Sequence, residues 1–349
     1  MQRIFTSGVA VALAIALTAC STDSVGPASD APIRTGKSAS IASTTTMVGR
    51  FELVTSGDVT TVSTVNGSAK TWVATFTADT RTVTMSGDTR TFTENSISVS
   101  HNTWVRLLDA PFNGNVDTTW INARLAENTT TSNVKDVLAH AMDYLDAGTL
   151  NAKYGPDATT EGSDFNDYLG IDYTYTPHWS TSLNKLVSSW KDGYETSRAG
   201  ALDCSGYMRM IWGYRMGMTM CFNVNPNDPN GRLPRRSYQL WDNAPGRKVM
   251  TDYTWDGSTA ATKLEALRVG DLVFFNADTV GTDEKTRVDH VGMYIGRDSS
   301  NNMRFIHSRK SDNVGPTFTK DLNGKSILNN DGTGQYLYYV RSLVGARRL

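Results

Sequence analysis

The chain has 349 residues, a formal charge of −1, and 39% hydrophobic and 20% charged residues. That balance leaves no basic field for nucleic acid, and beyond the N-terminal leader no segment is apolar enough to span a bilayer. The length suffices for one large or two modest domains behind a leader.

Residues 1–20 read MQRIFTSGVAVALAIALTAC, with Arg3 as a positive n-region and an uncharged run from Gly8 to Leu17. The run is too short for a bilayer span, which needs about 20 residues, but suits a signal-peptide h-region. Its end, Leu17-Thr18-Ala19-Cys20, resembles the lipobox of bacterial lipoproteins, in which the cysteine is diacylated and becomes the mature N-terminus. The resemblance implies lipidation at Cys20, an anchor in the membrane and a place in the bacterial cell envelope. Ser21 in place of aspartate points to the outer membrane if the cell is Gram-negative. An ordinary cleaved signal with an incidental cysteine is the alternative. Residues 21–46 are rich in Ser, Thr, Ala and Pro without apolar periodicity, and read as a flexible tether spanning about 28 Å as a coil.

From 47 to 116 the pattern is of short strands. Phe51 and Leu53 alternate with polar residues, as do Trp72, Ala74 and Phe76, then Val83 and Met85, then Ile97 and Val99. Ser-Gly-Asp, Asn-Gly-Ser and a second Ser-Gly-Asp mark turns between them. This predicts a small antiparallel β module without a chemical constellation, in which His101 is a surface or satisfied polar residue.

A second domain is expected over 117–349. Asp117 caps a short helix, and a longer helix is predicted over 133–147, with Val134, Val137, Leu138, Ala141, Met142 and Leu145 on its apolar stripe and Gly148 as its stop. His140 lies off that stripe, on the solvated face. Residues 155–200 and 222–262 read as irregular insertions, and His178 in the first has no evident partner. A helix starts at Cys204, capped by Asp203, and runs toward Met216 with Gly217 as its stop. Then RVGDLVFFN predicts a buried strand, and DHVGMYIGRDSSNNMRFIHSRK a hairpin.

Cys204 admits four readings: packing residue, half of a disulfide, metal ligand or nucleophile. Its helix sets Cys204 and Cys221 too far apart to bridge, and one Cys with two His lacks the paired ligands of zinc motifs. At a helix N-terminus the backbone N–H groups and the macrodipole favour thiolate. With the hairpin turn near Asp298-Ser299, His290 and His307 oppose each other on one face, and Gly292 leaves room for the approaching helix end. Nucleophile, base and orienter would then stand together.

The blocks Asp203-Cys204-Ser205-Gly206, GDLVFF, HVGMYIG and FIH, in that order, resemble the NlpC-type cell-wall cysteine peptidases, and LPRRSYQL at 233–240 fits the segment between them. The helix at 133–147 resembles that family's first helix. The resemblance implies an α+β, papain-like fold, with a Cys-bearing helix on an antiparallel sheet. It also implies hydrolysis of peptidoglycan stem peptides, commonly after D-γ-glutamate, with no cofactor and no metal. Cys204 would be nucleophile, His290 general base and acid, and His307 the third polar residue. Asp203 and Ser205 flank the thiol where a substrate stem would lie, and Tyr154 stands for the family's tyrosine, though about fifty residues ahead of the cysteine. The same fold also carries amidases and transacylases. An alternative of another class is a non-catalytic wall-binding lipoprotein that works through its β module.

Overall fold

A computed structural model describes residues 43–150, 200–221, 231–251, 253, 263–277, 288–308, 315–319, 325–329 and 337–349, with the backbone of 178–180 and 185–187. All fall in one compact unit, Gly36–Leu349. The leader, the tether up to residue 42, Cys20 and Tyr154 lie outside the described residues, as does most of the 155–200 segment. In that segment His178–Ser180 (β7) pairs with Lys185–Val187 (β8). No described helix is long and apolar enough to cross a membrane.

The N-terminal module is a six-stranded antiparallel meander in sequence order. Its strands are β1 (Ser43–Val48), β2 (Phe51–Ser56), β3 (Val59–Asn66), β4 (Ala69–Thr77), β5 (Thr82–Glu94) and β6 (Ile97–Leu107). Asn-Gly and Ser-Gly-Asp turns join neighbours where predicted, with Gly57 and Gly67 at φ +57° and +61°. The second Ser-Gly-Asp behaves differently: it is a bulge inside β5, where four residues from Ser86 to Arg90 advance against two on β6. A Cβ on Gly87 would collide with the Trp104 indole and the Asn128 carbonyl, so glycine there permits close packing instead of ending the strand. The real turn is at Asn95-Ser96, both in the left-handed region at φ 47° and 65°.

One face of this sheet carries its own core, Phe51, Val62, Ala74, Phe76, Val83 and Met85. Helix α1 (Thr118–Glu127) covers it with Ile121 and Trp120, capped at its start by Asp117, whose carboxylate accepts from Thr119 and Trp120 N–H. The sequence boundary at 117 put that helix with the second domain; its packing joins it to the sheet. The other face, through Val99 and Val105 with Phe92, Ile97 and Leu107 at its margin, belongs to the core of the second layer.

That second layer is a five-stranded antiparallel sheet in the order β12-β11-β10-β13-β9. Its strands are β9 (Arg247–Met250), β10 (Leu272–Phe275), β11 (His290–Arg297), β12 (Met303–Ile306) and β13 (Leu343–Arg348). Against it pack α2 (Val137–Met142), α3 (Cys204–Met208) with a π-helical continuation over Arg209–Arg215, and α4 (Ser237–Asn243), while α5 (Leu337–Ser342) leads into β13. This is the mixed α+β, papain-like arrangement expected.

Several expectations need correction. The helix predicted over 133–147 is only Val137–Met142, capped by Asp136, and Val134 is left exposed. His140 is partly buried, its ring 19% exposed. Within the stretch read as irregular from 222 to 262, the described residues form α4 and β9.

The two layers are joined by buried polar contacts. The carboxylate of Asp136 accepts from Arg90, from Val105 N–H and from Ala139 N–H. The carbonyl of Leu349 accepts from the N–H groups of Arg81 (2.9 Å) and Thr82 (2.7 Å). Arg348 on β13 donates to the Thr77 hydroxyl on β4 at 2.8 Å while pairing with Asp271 at 2.7 Å, and all three are nearly fully buried. Gly87→Ala tests the bulge: overpacking there should cost about 1–3 kcal/mol, read as a lower urea midpoint at unchanged slope.

Candidate active site

Asp203, extended at φ −87°, ends the incoming chain and accepts from the N–H of Gly206, capping α3 as the sequence predicted. A cap of this kind contributes about 1 kcal/mol. It places Cys204 in the first turn, facing the start of β11. The thiol donates to the carbonyl of Asp289 at 3.9 Å, and the N–H of Val291 points at the sulfur. The sulfur therefore sits against the backbone on both sides of His290. Neither Cys204 nor Cys221 is in a disulfide, and both are partly exposed.

The hairpin register differs from the one assumed. Met293 pairs with Ile306 and Tyr294 with Phe305, with an irregularity between Tyr294 and Gly296. Continued, this register sets His307 opposite Gly292, so the two histidines are diagonal neighbours on one face. Their rings still meet, with His290 Nε2 and His307 Nδ1 2.8 Å apart. Gly292 makes room for this cross-strand packing, not for the helix: a Cβ there would stand 2.7 Å from the Phe305 ring and 3.1 Å from His307 Cβ.

The line of polar atoms continues beyond His307. Its Nε2 lies 3.0 Å from the hydroxyl of Ser326, and its backbone pairs on both sides with Thr317. Both histidines and Ser326 are buried. Phe275, Phe305 and Tyr339 enclose the two rings, with centroids 4.7 to 6.0 Å away. One tautomer pattern satisfies the chain with a basic nitrogen at its head. His290 donates from Nε2–H to His307 Nδ1, His307 donates from Nε2–H to Ser326, and His290 Nδ1 carries a lone pair.

Asp203 and Ser205 are not open to a ligand on all sides. Arg235 spans them, donating to Asp203 Oδ2 at 2.8 Å and to the Ser205 hydroxyl at 2.9 Å. Ser205 is itself buried. Sequence reasoning missed Arg235 and Ser326 as members of the site. Arg235 stood inside the LPRRSYQL block, which was a usable signal; nothing marks Ser326. Among the described residues no three His, Cys, Asp or Glu side chains cluster as metal ligands.

The expected thiolate is not what this environment favours. Burial pushes the Cys204 thiol up to about 12, and the carboxylate of Asp203 adds to the rise. The Val291 and Ser205 N–H groups and Arg235 pull the other way and are outweighed. The helix end is outweighed by burial of the sulfur, and the cap residue adds a negative charge beside it. Burial and the Asp203 carboxylate together favour the neutral thiol. Because the thiol's pKa is raised, its thiolate fraction grows about tenfold per pH unit through the alkaline range. Iodoacetamide labelling of Cys204 in the ligand-free protein should follow that slope from pH 7 to 10; a plateau beginning near pH 6 would instead indicate a standing ion pair.

Residues 190–332 match the family model described as the NlpC/P60 family. The match takes in α3 and the hairpin with both histidines; α2 lies outside it. No curated protein and no solved structure matches the chain.

Proposed function

We propose that this chain, an NlpC/P60 domain over residues 190–332, is a cysteine peptidase of the bacterial cell wall that cleaves peptidoglycan stem peptides through an acyl-enzyme. The observation that supports it most directly is the seating of the Cys204 sulfur on the backbone around His290, with His307 and Ser326 in line behind the imidazole.

With Nε2 engaged by His307, the imidazole works on the sulfur through Nδ1. As substrate enters, Nδ1 takes the thiol proton and the sulfur attacks the scissile carbonyl. Backbone N–H groups at the start of α3, that of Cys204 among them, stabilise the oxyanion. His290 then protonates the leaving amine, and later takes a proton from the water that releases the acyl group. A thiol that ionises only on transfer to its neighbour stays inert until the reacting carbonyl is in place. His307, donating onward to Ser326, fixes the ring of His290 in the needed tautomer.

The stem bond after D-γ-glutamate is the substrate bond in this reading. Asp203, held by Arg235, is the charged group beside the nucleophile that the polar stem would meet, and the buried Ser205 steadies it from behind through the same arginine. Tyr154 completes the proposed substrate contacts on the strength of the sequence pattern. The N-terminal leader supports an envelope location with a lipid anchor at Cys20.

Digestion of defined muropeptides, analysed by mass spectrometry, tests the reaction. Cys204→Ala and His290→Ala should each lose about 10³-fold or more of turnover, and His307→Ala about 10–100-fold, while all three still bind sacculi. Wild-type protein that binds sacculi and releases no peptide would overturn the reading in favour of a wall-binding protein. Metabolic palmitate labelling should mark the wild-type chain and vanish in Cys20→Ala.

A further inference from the structure

The N-terminal sheet does more than flank the second domain. Beyond the Gly87 bulge, β5 and β6 continue as a long hairpin with two unlike faces. Thr91, Thr93, Ser98 and Ser100 point outward and pair through their hydroxyls, at 3.0 Å for Thr91 with Ser100 and 2.8 Å for Thr93 with Ser98. The opposite face, with Phe92, Glu94, Ile97, Val99 and His101, lies on the strands that carry the histidines.

Two contacts anchor it there. His101 Nδ1 accepts from the N–H of Thr103, so its Nε2–H donates to the carbonyl of Ile295 on β11, at 3.0 Å. Burial lowers the pKa of His101, which keeps that ring neutral and the donor in place. A Cβ on Gly296 would stand 3.0 Å from the His101 ring, so the glycine lets the imidazole close onto the strand. Val99 also bridges to Asp298 at the end of β11.

The second contact reaches the other histidine. At the hairpin tip Glu94 accepts from the N–H of Phe318 at 2.8 Å and takes hydrogen bonds from the hydroxyls of Thr317 and Thr319. Asn95 donates to Thr319 at 3.1 Å. Thr317 is the residue whose backbone pairs on both sides with His307. Only Phe318, by its N–H, and two threonines separate the tip of the N-terminal sheet from the histidine that orients His290.

We propose that the β5–β6 hairpin is a working part of the peptidase site, in which Glu94 and Asn95 are positioning residues that hold the 317–319 segment and, through it, the His307–His290 pair. The hairpin tip lies before the matched family segment, so this chain's own N-terminal sheet supplies the brace. Glu94 sits in a buried setting that raises its pKa, with Asp146 adding to the rise, and only the hydrogen bonds from 317–319 oppose it. A carboxylate kept there at such cost belongs with the donors it faces.

The inference rests on the peptidase reading for its turnover arm and on spectroscopy for the other. Full-length chain labelled with ¹⁵N-histidine contains five histidines, few enough to resolve ring nitrogens and their tautomers by NMR. Glu94→Ala should change the ring-nitrogen shifts of His307 and His290, and lower kcat by about 10–100-fold with KM within about twofold. Glu94→Gln, which keeps an oxygen facing the Phe318 N–H, should recover most of both. Asn95→Gly suits the positive φ of the turn and removes only the Thr319 contact; it should move the His307 shifts in the same direction and lower kcat about threefold. If Glu94→Ala fails to fold, Asn95→Gly decides. Unchanged ring shifts in folded Glu94→Ala or in Asn95→Gly would overturn the proposal, and so would a rise in KM alone, which would mark direct substrate contact. A wild-type chain without turnover would sink the peptidase reading, while the ring shifts would still judge the brace.

Discussion

The site depends on the fit between the first turn of α3 and the first residues of β11. A sulfur held against the backbone at 289 and 291 is fixed relative to the strand that carries the ring of His290. The Asp203 cap sets the angle of the helix, and Arg235 holds Asp203 and Ser205 so that the cap does not swing away. The remaining atoms extend this fit inward, through two histidines and a serine inside an aromatic shell. Cys204 and His290 are thus set on touching stretches of main chain, and the character of the thiol is set by what surrounds it.

That surrounding favours the neutral form of the Cys204 thiol. A helix end and a nearby imidazole argue for thiolate in water, but in a crowded setting the desolvation of a full negative charge dominates over partial charges of N–H groups. Asp203 contributes twice with opposite effects, since its carboxylate orders the helix and repels a thiolate. In the proposed reaction, such a thiol would lose its proton only when an electrophile arrives.

The parts of the structure legible in sequence were those set by local rules. Asp203 as a cap, Gly217 as a stop at φ +78° and the buried strand LVFF follow from capping, left-handed glycine and apolar runs. Alternation also placed both histidines on one face, because parity survives a slip of two residues. The slip itself was invisible, since the turn is centred near Ser300, which shifts the pairing by three residues, and an irregularity beside Gly296 takes one of them back. The second Ser-Gly-Asp looks like any hairpin turn until Trp104 and Asn128 are seen pressing on Gly87. Ser326 and the hairpin tip at Glu94 escaped for the same reason: their meaning lies in partners far along the chain.

One topological feature carries a kinetic consequence. The N-terminal meander pairs only sequence neighbours, whereas β13 enters between β9 and β10, and Leu349 bonds to Arg81 and Thr82 across more than half of the chain. Local pairings close fast, and distant ones wait on loop closure. The meander therefore assembles early and offers a ready template, while the sheet under the histidines stays split at β10 until 343–349 arrives. During that interval the unpaired side of β10 is a sticky edge, so the last step of maturation is both the slowest and the one most open to misassembly.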